Sequence, residues 1–306
     1  MKAFVLVLAS IFFAPVALAQ PVVISPPTEK IKILSWNIYM LPGPLGHDNR
    51  RRAEAIGQLL ASSDYDVIVF QEAFHRKARK SISRHLQSAF PFHTGAANCK
   101  LLSLKTNSGL WIISRYPIVA VHSIIFKTRH GIDAMSRKGA LMAEVKFPSQ
   151  NIQAVSTHLQ NSGEDWRRQG QCVELFQRLL KKNERLGIPQ IICGDFNINR
   201  HSADKAYRST LQHIDADDGP LGSPQQFSYD RATNDLKVEQ SLQQDLIDYI
   251  LIRPNNATIQ CSERKIRVLR QRWRAAHEDL SDHYPIEAEI HIQKLQEIYI
   301  VAAPPH

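Results

Sequence analysis

Residues 190–197 read Gln190-Ile191-Ile192-Cys193-Gly194-Asp195-Phe196-Asn197. The run Ile191-Ile192-Cys193 is short, apolar and closed by glycine, the pattern of a strand covered on both faces. It then breaks into Asp and Asn, which an apolar core accepts only with partners. The same transition recurs along the chain. Ser35-Trp36-Asn37 closes a predicted strand at Ile31–Asn37, and Gln71-Glu72 follows one at Val67–Phe70. Thr157-His158-Leu159 closes Ile152–Thr157, Asp248 lies within Leu246–Ile252, and Ser281-Asp282-His283 precedes Ile286–Ile292. One Asp after a strand is ordinarily a turn or a helix cap. Polar residues abutting six apolar strands in one chain are hard to credit to turns alone.

Further strands are expected at Gly109–Ser114, Ala120–Phe126 and Ala140–Phe147. Helical spacing of apolar residues predicts helices over Arg50–Leu60, Lys77–Ser88, Asp165–Leu186 (closed by Gly187) and Asp204–Gln212. Strands often follow one another without an intervening helix, which fits a simple alternating parallel sheet poorly. An α/β fold of mixed sheets, with helices packed on the outer faces, fits better.

The chain has 306 residues, 43% hydrophobic and 22% charged, enough to bury a core without disulfide staples or a structural metal. That balance excludes low-complexity disorder, and a multi-pass membrane protein is excluded because only the N-terminus carries a long apolar run. Lys2, the apolar stretch Ala3 to Leu18 and Ala17-Leu18-Ala19 read as a signal peptide over 1–19, hence a secreted or periplasmic protein starting at Gln20. A Pro-rich flexible lead-in is expected over 20–30, a single domain over 31–292 and a frayed tail over 293–306. The formal charge of +9 favours anionic partners such as nucleic acid, acidic lipid headgroups or phosphate esters, without choosing among them. Cys99, Cys172, Cys193 and Cys261 permit up to two disulfides, although Cys193 in its apolar run reads equally well as a buried free thiol.

Chemically, the strand ends describe a hard-cation site. Glu72, Asn37 and Asp282 offer oxygen ligands, without the thiolate or His-rich spacing of a zinc centre. Magnesium takes one or two carboxylates plus a substrate phosphate. Asp282 stands beside His283, and Asp248 is a second carboxylate able to hold that imidazole in one tautomer as a general base. His158, Asp195 and Asn197 would then contact the phosphoryl oxygens or the leaving group.

These motifs, in this order, resemble the endonuclease/exonuclease/phosphatase superfamily: Trp36-Asn37, Gln71-Glu72, Thr157-His158-Leu159, Gly194-Asp195-Phe196-Asn197, Asp248-Tyr249 and Ser281-Asp282-His283-Tyr284-Pro285. The resemblance runs from about residue 31 to 292. It implies a four-layer α/β sandwich, two mixed sheets packed face to face under outer helices, and metal-dependent cleavage of a phosphate ester. It also implies Glu72 as principal metal ligand and His283, paired with Asp248, as base on the attacking water.

Three stretches are similar to the neutral and bacterial sphingomyelinases within that superfamily. They are Asn37-Ile38-Tyr39-Met40-Leu41-Pro42, Asp133-Ala134-Met135-Ser136-Arg137-Lys138-Gly139 and Ser156-Thr157-His158-Leu159-Gln160. This likeness implies substrate or phosphate binding by Lys138, Asp133 and Tyr39. It implies Mg²⁺ as cofactor, with Mn²⁺ or Co²⁺ as substitutes, and hydrolysis of sphingomyelin to ceramide and phosphocholine by a monomer at a phospholipid membrane surface. One departure stands out. Glu263 to Asp279, where secreted relatives often carry an aromatic-rich hairpin, has Trp273 as its single aromatic residue. It is basic instead, through Arg264, Lys265, Arg267, Arg270, Arg272 and Arg274. Such a segment suits anionic lipid, nucleic-acid phosphates or plain solvent. The alternative function is an exported metal-dependent nuclease with nucleic acid as partner, and a third is an inactive lipid-binding module.

Overall fold

Strand β1 (Thr28–Asn37) carries the rule that builds the molecule. Successive side chains of a strand point to opposite faces. In β1, Ile31 and Ile33 enter one core while Leu34 and Trp36 enter another, so both faces are covered. The computed structural model describes residues 28–43, 47–99, 106–131, 135–236 and 241–293. After β1 come α1 (Asn49–Ala61), β2 (Val67–Gln71), α2 (Arg76–Leu86), β3 (Phe92–His93), β4 (Trp111–Ser114), β5 (Ile118–Ile125), β6 (Gly139–Lys146) and β7 (Asn151–His158). Then follow α3 (Asp165–Leu175), β8 (Gln190–Asp195), α4 (Asp204–Ile214), β9 (Tyr229–Asp230), β10 (Gln244–Asp245) and β11 (Asp248–Arg253). The series ends with β12 (Thr258–Ile266), β13 (Arg270–Arg274), β14 (His277–Asp279) and β15 (Ile286–Gln293).

Two large sheets form, in the order β12-β15-β1-β2-β4-β3 and β11-β8-β7-β6-β5. They meet through a dry seam that includes Ile31, Ile33, Val67 and Val69 of the first sheet and Leu141, Ala154, Ile191 and Ile250 of the second. Helices α1 and α2 bury Ile56, Leu60, Ile82 and Leu86 against the outer face of the first sheet. Helices α3 and α4 bury Cys172, Leu175, Tyr207 and Ile214 against the outer face of the second. The result is the expected four-layer sandwich. Each sheet is mixed, with one parallel pair: β1 with β2, and β7 with β8. Those two pairs set the carboxyl ends of four strands along one edge of the seam.

The structure corrects several expectations. Thr28 to Lys30 already pair with β15, so the lead-in is strand from residue 28 onward. The helix expected to run to Leu186 is α-helical only to Leu175, then widens into a π turn (Phe176–Leu180) and tightens into a 3₁₀ turn (Lys181–Asn183). The widened turn accommodates the adjacent Leu179 and Leu180, both buried. The basic interval becomes the end of β12 and the β13–β14 hairpin, and its charges are compensated. Arg264 is buried against Asp218 at 2.9 Å, Arg270 pairs with Asp279 at 2.7 Å, and Arg272 pairs with Glu278 at 2.7 Å. All four cysteines are free thiols. Among the described residues no helix is long and apolar enough to cross a membrane. The signal-peptide reading over 1–19 falls outside the described residues.

Gly194 lies opposite Thr157 in the parallel β7–β8 pair, and a Cβ there would sit 2.1 Å from the Thr157 carbonyl oxygen. The obstacle is backbone, which no rotamer change relieves. Gly194→Ala is therefore expected to cost about 1–3 kcal/mol of stability. The measurement is the urea unfolding midpoint at unchanged slope.

Candidate active site

The seam changes character at one edge. Along β1 the inward positions run Ile31, Ile33, Ser35, Asn37; along β8 they run Ile191, Cys193, Asp195; along β11 they run Ile252, Ile250, Asp248. With a side-chain period of two, the face that packs the core also delivers these polar groups. Beyond the edge the chain turns sharply. Tyr39, Glu72 and Asn197 all take left-handed backbone conformations, with φ of 49, 51 and 52°. Each non-glycine residue held there costs of order 1–3 kcal/mol, strain that clusters at functional sites.

The polar groups interlock across the seam. Asn37 Nδ2 donates to Asp195 Oδ2 at 3.0 Å, joining the two sheets, while Asn37 Oδ1 accepts the Tyr39 N–H at 3.2 Å. His283 Nδ1 lies 2.8 Å from Asp248 Oδ2, and its Nε2 faces Asp195 Oδ2 at 3.8 Å. Trp36 Nε1 donates to the His283 carbonyl at 2.9 Å, and Ser281 Oγ donates to the Asn37 carbonyl at 2.6 Å. Lys138 Nζ donates to the Leu159 carbonyl at 2.8 Å and lies 3.1 Å from His158 Nε2. An ammonium only donates, so His158 Nε2 accepts and the neutral ring carries its proton on Nδ1. Burial, then the Lys138 charge, hold His158 well below its ordinary pKa and keep it neutral. Its Nδ1 points toward Glu72, 3.9 Å from Oε1.

The electrostatics fit a divalent cation. Glu72, Asp195, Asp248 and Asp282 stand against Lys138 and the His283 imidazole, so that with all four carboxylates ionised the negative charges outnumber the positive ones. Burial, then Asp282, push Glu72 up to about 7, and its Oε2 is a buried oxygen without a hydrogen-bond partner. Burial, then Asp248, push Asp195 up to about 6. Burial pulls His283 down, but Asp248 and its neighbours outweigh it and raise the imidazole to about 10. An oxygen-only donor set with an orphaned carboxylate oxygen suits a hard cation, and its charge would offset the field that keeps His283 protonated. Asp195, Asp248 and His283 also bring potential ligand atoms within 4.8 Å of one another. There the His283 Nδ1 is already engaged by Asp248, so that trio reads as a held imidazole and not as the metal centre.

A cleft of about 760 Å³ opens onto these groups, and Tyr39, Glu72, Asp195, Asn197, Asp282 and His283 line it. Asn37, His158, Asp248 and Lys138 stand immediately behind that lining. Asn197 is held by its N–H on Asp195 Oδ1 at 3.0 Å and its side-chain amide on the Leu159 carbonyl at 3.2 Å. Lys138 is 3% exposed and engages His158 from below, so it reaches the cleft through that ring. Asp133 lies outside the described residues. Two supports escaped the sequence reading. Tyr229 packs its ring 5.1 Å from His283. Arg52, fully buried, donates to the carbonyls of Ile38 (2.9 Å), Tyr39 (2.5 Å), His47 (2.6 Å) and Leu280 (2.9 Å). It thereby fixes both the Tyr39 turn and the approach to Asp282. Its signal was present: Arg52, Ile56 and Leu60 recur at four-residue spacing on the apolar stripe of α1.

Residues 34–283 match the profile of the Endonuclease/Exonuclease/phosphatase family. The chain is 26% identical over 294 residues to Sphingomyelinase C 2 of Leptospira interrogans, covering 84% of this chain and 45% of that protein. It thus spans less than half the length of that relative. It is 25% identical over 297 residues to Sphingomyelinase C of Bacillus cereus, covering 85% of this chain and 88% of that one. The fold superposes on beta toxin from Staphylococcus aureus, solved with bound magnesium ions, with a TM-score of 0.77 at 23% identity, over 85% of this chain and 99% of that chain.

Arg52→Met keeps the side chain's length and removes five donors. With four carbonyls losing their partner, those of Ile38 and Leu280 in buried contacts, stability is expected to fall by about 3 kcal/mol or more, read by thermal or urea unfolding.

Proposed function

The chain belongs to the endonuclease/exonuclease/phosphatase family of metal-dependent phosphodiesterases, and on that premise we propose that it hydrolyses sphingomyelin to ceramide and phosphocholine. The observation that carries the reading is the His283–Asp248 pair at 2.8 Å, opening onto a cleft shared with Glu72 and its unpartnered oxygen. Glu72, Asp282 and the Oδ1 of Asn37 would hold Mg²⁺, the ion named for the beta toxin structure. When bound, Mg²⁺ supplies Lewis-acid stabilisation of a phosphoryl oxygen and of the departing alkoxide.

The protein's own groups do the rest. His283 takes a proton from the attacking water at Nε2, because Nδ1 is held by Asp248. Asp248 fixes the tautomer and stabilises the imidazolium that results. His158 presents its Nδ1–H to a phosphoryl oxygen, with Lys138 fixing the ring from behind. Asp195 orients Asn37 and the Asn197 backbone, and so aligns both sides of the cleft. Tyr39 and Asn197 border the substrate phosphate, and Lys138 acts on it through the His158 ring. The apolar leader over 1–19 supports export, with 31–292 acting as one catalytic domain, a monomer meeting its lipid at a membrane surface.

The net charge of +9 favours one competing reading, an exported nuclease. With Mg²⁺ present, sphingomyelin vesicles are expected to release phosphocholine while plasmid DNA stays intact, and EDTA should stop the release. Nicked plasmid with unchanged vesicles would replace the lipid reading by the nuclease. Two variants separate the roles. Glu72→Gln should raise the Mg²⁺ concentration for half-maximal activity by about 10–100-fold. His283→Ala should lower turnover about 10²–10⁴-fold at unchanged Mg²⁺ dependence.

A further inference from the structure

Helices α1 and α2 run parallel. Glu54 reaches Ser81 at 2.9 Å and His85 at 2.6 Å, and one turn on, Gly57 admits the His85 ring, where a Cβ would approach it to 2.9 Å. Both N-termini therefore lie at one end, and that end adjoins the catalytic cleft. The His75 N–H donates to the Met40 carbonyl at 3.1 Å, and His47 stacks on Tyr39 at 5.2 Å.

Between the helices lies a groove of about 1370 Å³, larger than the cleft itself. Its rim is cationic: Arg50 and Arg51 from α1, Lys77, Lys80 and Arg84 from α2, and Arg274 from the β13–β14 hairpin. Asp48 and Glu54 are the acids on its lining, and both are engaged, Asp48 by Arg51 at 3.4 Å and Arg274 at 3.7 Å, Glu54 by Arg84 at 3.2 Å. Arg50, Lys77 and Lys80 are exposed and have no carboxylate partner among the described residues. Leu86, Phe90 and Ile113 form the floor.

We infer that this groove docks the anionic headgroups of a lipid bilayer and so holds the adjoining cleft against the membrane. The inference rests on the lipid reading of that cleft, which requires the enzyme to work at a surface. Exposed cations without a carboxylate partner complement the negative charges of anionic headgroups. Phe90, the phenylalanine of the floor, is 2% exposed and has the Arg115 guanidinium 4.4 Å from its ring centroid, so its face is closed to stacking bases, which favours lipid over nucleic acid. Arg270, Arg272 and Arg274 of the β13–β14 hairpin are each paired with a carboxylate, whereas Arg50, Lys77 and Lys80 are free to meet headgroups. Each basic residue near an anionic surface contributes about 1 kcal/mol, a roughly five-fold change in partitioning.

The test uses phosphatidylcholine vesicles, with and without phosphatidylserine and free of sphingomyelin, so that binding is read apart from catalysis. The full chain should co-sediment with the phosphatidylserine vesicles and release as salt rises. The combined variant Arg50→Gln, Lys77→Gln, Lys80→Gln should lose about a hundred-fold in partitioning. It should hydrolyse a water-soluble phosphocholine ester at the unaltered rate, and Lys77→Arg with Lys80→Arg should retain binding. Equal binding to both vesicle types, undiminished binding by the triple variant, or preference for a DNA duplex over the vesicles would each overturn the inference. Inertness of the wild type toward the soluble ester would instead overturn the lipid-hydrolase reading and leave the vesicle result standing.

Discussion

The hydrogen bond from Asn37 to Asp195 is the constraint on which the site depends. It spans the seam between two sheets that meet mainly through apolar side chains, and lies on the same edge as the bond from Ser156 Oγ to the Phe70 carbonyl at 3.2 Å. Both partners are almost wholly buried, so neither has water as an alternative. A polar group in that position is tolerable only when paired, and the pairing fixes how the sheets register at this edge. From there the network spreads: Asp195 orders the Asn197 turn, Asn37 orders the Tyr39 turn, and the Asn37 carbonyl anchors Ser281 ahead of Asp282 and His283.

Around that bond, the molecule accepts local costs that the surrounding core offsets. Glu72 is strained at φ 51° and desolvated, with an oxygen lacking a partner. Arg52 spends a whole guanidinium on backbone carbonyls, and burial, the largest influence on it, brings it down to about 10. Helices on both outer faces keep the four layers rigid, so these groups cannot relax into water. A preorganised polar site is worth more in such an environment than the same groups would be on a surface.

Much of this was legible in the sequence because the period of a strand is two. Once Ile191 and Cys193 face the core, Asp195 must face the same way, and the same reasoning carries Ile33 to Asn37. Strand ends therefore announced the residues that converge on the candidate site, and their order along the chain announced the family. What stayed hidden were features fixed by long-range packing. Arg52 sits in the run Arg50-Arg51-Arg52 and looks like surface charge until its helical phase is considered. Lys138 reads as a phosphate-facing lysine, yet its burial and the His158 ring decide what it touches. The basic stretch from Arg264 to Arg274 looks like a free cationic patch because its acids lie as far away as Asp48 and Asp218. Short strands such as β9 and β10 left no periodic signal at two residues each.

The cysteines carry one more consequence. Cys172 and Cys193 are sealed in the core, where burial pushes both thiols up, that of Cys172 to about 12. Sulfur so protected neither ionises nor meets an oxidant, and it packs as a small hydrophobe. The architecture is consequently held by van der Waals contact and hydrogen bonds without covalent stitching. The packing around these two core thiols is therefore the same in reducing and in oxidising surroundings.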